Sequence, residues 1–134
     1  MLHEELSGKI LEGCFEVSKE LGAGFLESVY EKALFVALTQ KGLNVELQVP
    51  LKVRFRDVIV GDFYADLLVE KKMLVELKAV NALTNEHYAQ IINYLKATGI
   101  EVGLIVNFGH SKLEYRRFKN KFLEKSLLEN LFDE

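Results

Sequence analysis

Two charged residues, Glu76 and Lys78, interrupt an otherwise apolar segment that runs from Met73 to Ala79. Successive residues of a β-strand alternate between faces, so Glu76 and Lys78 would share one face with Leu74. An acid and a base in such surroundings are costly to desolvate unless they pair or contact a metal. Glu-x-Lys alone is common, however, and a simple ion pair on an exposed edge strand would also explain it.

A second apolar segment, predicted as a strand from about Asp62 to Val69, carries Asp66. A tight hairpin through the polar turn at Lys71 would place Asp66 across from Glu76, with Cβ atoms about 4.5–5.5 Å apart. Two carboxylates this close repel unless a proton or a cation lies between them. Mg²⁺ fits, since it is commonly held by one or two carboxylates with water and substrate phosphate. Lys78 would then orient a metal-bound water, help lower its pKa, or stabilise charge on a phosphate.

Strict alternation predicts the faces of the strand from 62 to 69 as well. One face would carry Asp62, Tyr64, Asp66 and Leu68, and the opposite face Phe63, Ala65, Leu67 and Val69. The pattern therefore predicts a metal-dependent hydrolytic site on one sheet face. The structural alternative is an exposed ladder of charges formed by Asp66, Glu76 and Lys78.

Two helical segments supply further candidates. Gly24 precedes a predicted helix on which Glu27 and Tyr30 are one turn apart. Glu27 could be a third carboxylate of the site, or it could simply stabilise the helix N-terminus while Tyr30 packs in the core. On a later helix Gln90 and Tyr94 share one face that would pack towards the sheet. Satisfied core residues are the ordinary alternative for this second pair.

The elements that must position these residues follow from periodicity, turns and caps. Helices are predicted over about 6–21, 26–40, 85–98 and 119–131, and strands over about 45–56, 62–69, 73–79, 101–107 and 113–118. Thr84 and Gly99 are predicted to cap the third helix, Gly42 to cap the second, and Pro50 to mark a bulge or an edge strand. Three hairpin-linked strands followed by a crossover helix predict an α/β (α+β) fold, with a mixed four- to five-stranded sheet flanked by helices.

Composition limits the class of protein. The chain of 134 residues is 49% hydrophobic and 28% charged, which predicts one globular domain over 1–134. The lone Cys14 cannot form an internal disulfide and is expected in the core. No signal peptide is visible, and no apolar segment approaches the roughly 20 residues of a membrane span, so we expect a cytoplasmic protein without a membrane partner.

Charge is unevenly distributed along a chain whose net charge is −3. This net charge does not indicate a strong, sequence-independent nucleic-acid binder. Two basic clusters could still contact phosphates, or could simply be solvated faces. The first, on one face of the strand from 45 to 56, is Lys52, Arg54 and Arg56, and the second includes Arg116 and Arg117.

Taken together, Asp66, Glu76-Leu77-Lys78 and Gln90 to Tyr94 resemble the core of the PD-(D/E)XK nuclease superfamily. The Gln-x-x-x-Tyr element is similar to that of the RecB-type exonuclease branch. Gly24-x-x-Glu27-x-x-Tyr30 resembles the signature of the prokaryotic GxxExxY family, which is placed in the same superfamily, and this resemblance covers nearly the whole chain. A restriction-endonuclease-like core, with helix, three strands, helix and strand, is the fold it implies.

The resemblance also implies roles for the residues. Asp66 and Glu76 would bind Mg²⁺ (or Mn²⁺) together with the Leu77 backbone carbonyl, and Lys78 would be the catalytic lysine. Glu27 would support the metal or its water, while Gln90 and Tyr94 would position substrate or catalytic groups. The implied activity is hydrolysis of phosphodiester bonds, in DNA as the expected nucleic acid, by metal-activated water.

Two departures from the superfamily pattern leave alternatives open. Ala65 stands where a proline often precedes the aspartate, and the small acidic chain carries no obvious DNA-binding extension. Holding DNA could therefore require a homodimer or a protein partner. The functional alternative is a nuclease-like module that binds nucleic acid or protein without turnover.

Overall fold

The computed structural model describes residues 2–122, and its first two elements form a helical hairpin. Helix α1 spans Glu4–Leu21 and α2 spans Glu27–Gln40. Apolar residues three and four apart on α1 bury one stripe, as the periodicity predicts. Between the helices, Gly24 has φ 112°, a backbone conformation that L-residues with side chains rarely adopt.

A five-stranded sheet follows, and it confirms the predicted mixed topology. Its elements are β1 (Val45–Phe55), β2 (Val58–Val69), β3 (Met73–Lys78), helix α3 (Asn85–Thr98), β4 (Val102–Asn107) and β5 (Glu114–Lys119). The strands lie in the order β1-β2-β3-β4-β5. Among the strands within residues 2–122, only β3 and β4 pair in parallel, because α3 carries the chain across the sheet between them.

Helices cover both faces of this sheet. The larger apolar core joins α1 and α2 to the first face and includes Ile10, Leu34, Leu67 and Val75. Cys14 is fully buried in this core, as expected. The second face packs against α3 through residues such as Leu74 and Leu95.

Local capping accounts for the agreement between predicted and observed bounds of α3. The Thr84 hydroxyl accepts the His87 N–H, and the His87 side chain accepts the Thr84 N–H, so the two residues form a reciprocal capping box. At the other end, Gly99 takes a left-handed conformation at φ 74° and its N–H donates to the Leu95 carbonyl. Gly42, at φ 83°, follows the end of α2 in the same conformation.

The hairpin of β1 and β2 differs from the prediction in two ways. Its turn is at Arg56 and Asp57, whose φ angles of 50° and 66° suit a two-residue hairpin turn. As a result β2 begins at Val58 instead of at about Asp62, and Gly61 lies inside the strand opposite Val53. Pro50 is on the edge strand, as predicted, but the shift in register falls between Val53 and Arg54.

The predicted alternation of β2 is wrong at its middle. Ala65 packs with Leu68 on the α3 side, whereas Leu67 and Val69 pack under α1 and α2. The switch falls at Asp66, opposite Gln48 on β1, and Gln48 has a left-handed φ of 50°. A local distortion of both strands therefore turns neighbouring residues to different faces, which a strict period of two cannot predict.

The predicted C-terminal helix over about 119–131 falls mostly outside the described residues. At its start, β5 continues to Lys119. Within residues 2–122, no helix is both long and apolar enough to cross a membrane.

Candidate active site

The candidate site lies where β2 and β3 separate. Their backbone ladder ends at the pair Leu67 and Val75. One residue further on, the Asp66 N–H donates to Glu76 Oε1 at 3.2 Å, and the Leu77 N–H donates to Asp66 Oδ2 at 2.7 Å. Side chains thus replace the ladder bonds, and the predicted proximity of Asp66 and Glu76 is confirmed.

Glu76 is the buried member of this pair, with 4% of its surface exposed. Burial, followed by the nearby charge of Asp66, raises the pKa of Glu76 to about 9. The pair therefore holds a proton at neutral pH when no cation is present. This buried arrangement excludes the alternative of an exposed charge ladder.

Lys78 lies on the α3 side of β3 and contacts that helix. Its Nζ donates to Gln90 Oε1 at 3.2 Å, and Gln90 Nε2 donates to the Tyr94 hydroxyl at 3.3 Å. Burial, and then the charges of Glu76 and Asp66, raise the pKa of the Tyr94 hydroxyl. Hydrogen bonds thus connect Lys78 of β3 with Gln90 and Tyr94 of α3.

The Leu77 carbonyl faces the opening between the strands. The Lys78 carbonyl accepts the Phe108 N–H, on the side of β4. Because carbonyls alternate in direction along a strand, the Leu77 carbonyl is directed towards β2, as is its N–H, which reaches Asp66. Asp66, Glu76 and this carbonyl together form a set of oxygen donors.

Glu27 approaches the site from the helices on the first face. It is the first residue of α2 and is exposed. Partial desolvation raises its pKa, the positive charge of Lys78 lowers it, and the negative charges of Asp66 and Glu31 raise it. Glu27 is therefore electrostatically coupled to both Lys78 and Asp66.

Gly24 and Tyr30 hold the start of α2 in place. The fully buried Tyr30 donates its hydroxyl to the Gly22 carbonyl at 2.6 Å and accepts the Phe25 N–H at 3.1 Å. Its ring stacks on Phe108 at 4.8 Å between centroids. Tyr30 thus closes the turn that delivers Glu27, with Gly24 supplying the unusual backbone angle.

Sequence reasoning missed three residues that support the site, namely Gln48, Glu31 and Asn107. Gln48 Nε2 donates to Glu31 Oε1 at 2.7 Å and to Asp66 Oδ1 at 3.4 Å, so it links α2 to the aspartate. A regular hairpin turning at Arg56 and Asp57 would place position 47 opposite Asp66, and the register shift between Val53 and Arg54 is what brings position 48 there.

The third missed residue is Asn107, which is fully buried beside Lys78 in the parallel pair. Its Oδ1 accepts the Val80 and Gly109 N–H groups, and its Nδ2 donates to the Val80 carbonyl and to Glu114 Oε1. This network fastens the chain directly after Lys78. An asparagine at the end of an apolar strand was the signal that could have revealed it.

The basic residues are not gathered into the two predicted clusters. Arg117 donates to Ser7 Oγ and to the Leu2 carbonyl, and so it anchors α1. Arg116 instead lies over the Tyr88 ring at 4.7 Å. Arg56 is in the hairpin turn, away from a regular strand face, whereas Lys52 and Arg54 line a groove beside α3.

The donor chemistry of the site fits a hard divalent cation. Residues 2–122 contain no group of three or more His, Cys, Asp or Glu side chains that could hold a metal ion. A cation here would therefore depend on two carboxylates, the Leu77 carbonyl, water and substrate, which is a common arrangement for Mg²⁺. The raised pKa of Glu76 indicates that positive charge would be stabilising at this position.

Comparison with known proteins places the chain in a family. A family model described as the PD-(D/E)XK nuclease superfamily matches residues 4–118, so the chain belongs to this superfamily. Its nucleases generally use divalent metal ions and act on nucleic acid. No curated protein matches the chain.

One solved structure shares the fold at low sequence identity. The crystal structure of SSO0001 has a TM-score of 0.54 and 17% identity, and the match covers 98% of this chain and 66% of that one. The chain thus spans slightly less than two thirds of the length of SSO0001. LHK-Exo, an alkaline exonuclease from Laribacter hongkongensis, has a TM-score of 0.49 and 13% identity, with 96% and 87% of the two chains covered.

Proposed function

We propose that this protein is a nuclease that depends on Mg²⁺ or Mn²⁺ and hydrolyses phosphodiester bonds, with DNA as the expected substrate. The observation that carries the proposal is the buried Glu76 beside Asp66, next to Lys78, at the opening between two strands. A buried carboxyl group whose pKa is strongly raised by desolvation and a neighbouring charge is typical of functional sites. Membership of the nuclease superfamily supports the same conclusion.

The residues would divide the work as follows. Asp66, Glu76 and the Leu77 carbonyl would hold the cation, with Glu27 reaching it through water. When bound, such a cation lowers the pKa of a coordinated water and offsets charge on the phosphate. Lys78 would stabilise charge that develops on the scissile phosphate.

Gln90 and Tyr94 would keep the Lys78 ammonium directed at that phosphate. Their two hydrogen bonds join the lysine to α3, so its position is limited by a helix and not by its own flexible stem. Lysine side chains lose much rotamer entropy when they are held, and a preformed contact reduces that loss during the reaction.

The proposal extends to the GxxExxY group of the superfamily. Its signature has a physical explanation here, because Gly24 and Tyr30 shape the turn from which Glu27 projects. Cytoplasmic localisation and a single domain over 1–134 are part of the same proposal.

Cleavage assays with matched variants test the function. Wild-type protein should cleave labelled single- or double-stranded DNA or RNA when Mg²⁺ or Mn²⁺ is added. Lys78→Ala should lower the rate by about 10²-fold or more, as loss of an electrostatic stabiliser does. Lys72→Ala, an exposed lysine in the turn before β3, is the control and should retain activity.

Calorimetric titration of Mn²⁺ tests the cation site without requiring turnover. Asp66→Ala should remove the binding isotherm, whereas Asp62→Ala, an exposed aspartate of the same strand, should keep it. The nuclease proposal fails if pure wild-type protein cleaves none of these nucleic acids with either cation.

A nucleic-acid- or protein-binding module without turnover is the second candidate. It is favoured by one observation, namely that residues 2–122 offer two close carboxylates and no group of three or more potential ligand side chains. The titration separates the two, because a silent module would bind nucleic acid or protein while Mn²⁺ gives no isotherm.

A further inference from the structure

Beyond the candidate site, the hairpin of β1 and β2 extends past the rest of the sheet. Pairing with β3 ends at Leu67, whereas pairing with β1 continues to the turn at Arg56 and Asp57. We define this outer part, residues 52–64, as the arm. It exposes large side chains, including Phe55, Phe63 and Tyr64.

A groove lies between the arm and α3. It is lined by Lys52, Val53, Arg54, Asn93, Lys96 and Ala97. Three of these side chains are basic and none is acidic, although the whole chain has a net charge of −3. Lys52 is partly neutralised by Asp62 at 2.7 Å, so Arg54 and Lys96 supply most of the positive charge.

The groove is joined to the candidate site by a series of contacts. Lys78 contacts Gln90, Gln90 contacts Tyr94, and the Phe63 ring lies against Tyr94 at 5.8 Å between centroids. Phe63 in turn neighbours Gly61, which is paired with Val53 of the groove. A ligand could therefore pass from the lysine along α3 to the basic residues.

Of the two aromatic side chains on this path, Tyr94 is buried, whereas 44% of the surface of Phe63 is exposed. A ring that contacts Tyr94 and is still exposed over 44% of its surface can stack with an unpaired base. In a duplex the bases are already stacked on one another, so such a ring favours a single strand. Basic side chains beside it would contact the phosphates.

We propose that the groove between the arm and α3 binds a single strand of nucleic acid next to the scissile bond, with a base on Phe63 and phosphates at Arg54 and Lys96. This inference rests on the proposed nuclease function. From Gln90 to Ala97 the helix rises about 10 Å. That length corresponds to about three nucleotides of stacked strand.

Fluorescence anisotropy without divalent metal tests binding separately from cleavage. The full chain is titrated against a labelled single-stranded 12-mer in DNA and RNA forms, and against the blunt DNA duplex. Arg54→Ala combined with Lys96→Ala should raise Kd about tenfold and reduce the salt slope by about 1.4, at about 0.7 for each phosphate contact. The exposed pair Lys19→Ala and Lys32→Ala is the matched control and should bind as wild type.

Phe63→Ala should also weaken binding about tenfold, but with an unchanged salt slope, because stacking involves no counterion release. Phe63→Tyr should restore binding. Phe15→Ala, which removes a ring of similar exposure at 49%, is its control and should have no effect. Circular dichroism melting of each variant verifies that it is folded.

Three results would overturn the inference: both groove variants bind like wild type, the controls lose as much affinity, or the duplex binds as tightly as the single strands. If wild-type protein cleaves while the groove variants bind normally, the groove is wrong and the nuclease function stands. If the groove variants lose binding but no cleavage occurs with any cation, the groove stands and the nuclease function is wrong.

Discussion

Replacement of Glu76 by glutamine should stabilise the metal-free protein at alkaline pH while it abolishes the response to metal. Glutamine has nearly the shape of a protonated glutamate. Its carbonyl can accept the Asp66 N–H, and its amide can donate to the Asp66 carboxylate. The variant therefore mimics the protonated state that burial favours, at every pH.

The expected magnitude follows from the pKa of Glu76, which rises from 4.5 to about 9 on folding. Because the folded protein holds this proton more tightly than the unfolded chain does, the contribution to stability is complete below pH 4.5 and declines as pH rises towards 9. At 1.36 kcal/mol for each pKa unit, the loss at pH 8 has a ceiling of about 5 kcal/mol. Relaxation and water penetration reduce this cost, and we expect about 2–4 kcal/mol.

Urea denaturation in EDTA measures the difference. At pH 5, the free energy of unfolding of Glu76→Gln should be within about 1 kcal/mol of the wild-type value. At pH 8 it should be higher than the wild-type value by about 2–4 kcal/mol. Adding Mg²⁺ at pH 8 should stabilise wild type by mass action and leave the variant unchanged. Glu46→Gln, an exposed glutamate on β1, is the control and should change stability little at either pH.

Equal stability of wild type and Glu76→Gln at pH 8 would refute the assigned pKa and the proton held by the pair. A Mg²⁺ response that persists in Glu76→Gln would refute the role of Glu76 as a cation ligand. The two results are independent, so each part of the reasoning can fail separately.

Three further outcomes are expected. Tyr30→Phe should destabilise the protein by about 1–3 kcal/mol in urea denaturation, because the partners of its buried hydroxyl lose their hydrogen bonds. A urea denaturation curve identical to that of wild type would contradict the role of the Tyr30 hydroxyl in the turn. Asn107→Ala should cost about 3 kcal/mol or more, since it leaves backbone groups near Val80 unsatisfied. Retained stability would show that water replaces the amide. Cys14 should resist iodoacetamide until denaturant is added, because burial raises the pKa of its thiol. Rapid alkylation of the native protein, followed by mass spectrometry, would contradict its place in the core.

Features that depend on neighbouring residues could be predicted from the sequence. The bounds of α3 follow from Thr84 and Gly99, whose capping bonds are made within the helix or one residue beyond it. The short turn before Met73 brings Asp66 and Glu76 together, since a tight hairpin leaves little freedom of register. The parallel pair of β3 and β4 follows from the intervening helix.

Features that depend on packing between distant segments could not be predicted from the sequence. Gln48 reaches Asp66 only because the middle of β1 is distorted, and the same distortion separates Ala65 from Leu67. Arg117 is drawn to α1 by partners more than a hundred residues away in the chain, although it is adjacent to Arg116.

The sequence by itself therefore determined the order of the elements and the identity of the charged pair in β3. Local hydrogen bonds and alternation are sufficient for those. Only the tertiary structure decided that Glu76 is buried, that Glu27 is electrostatically coupled to Lys78 and Asp66, and that a basic groove lies beside α3. The reason is that burial and electrostatic coupling depend on which elements pack together, and this is a property of the whole fold.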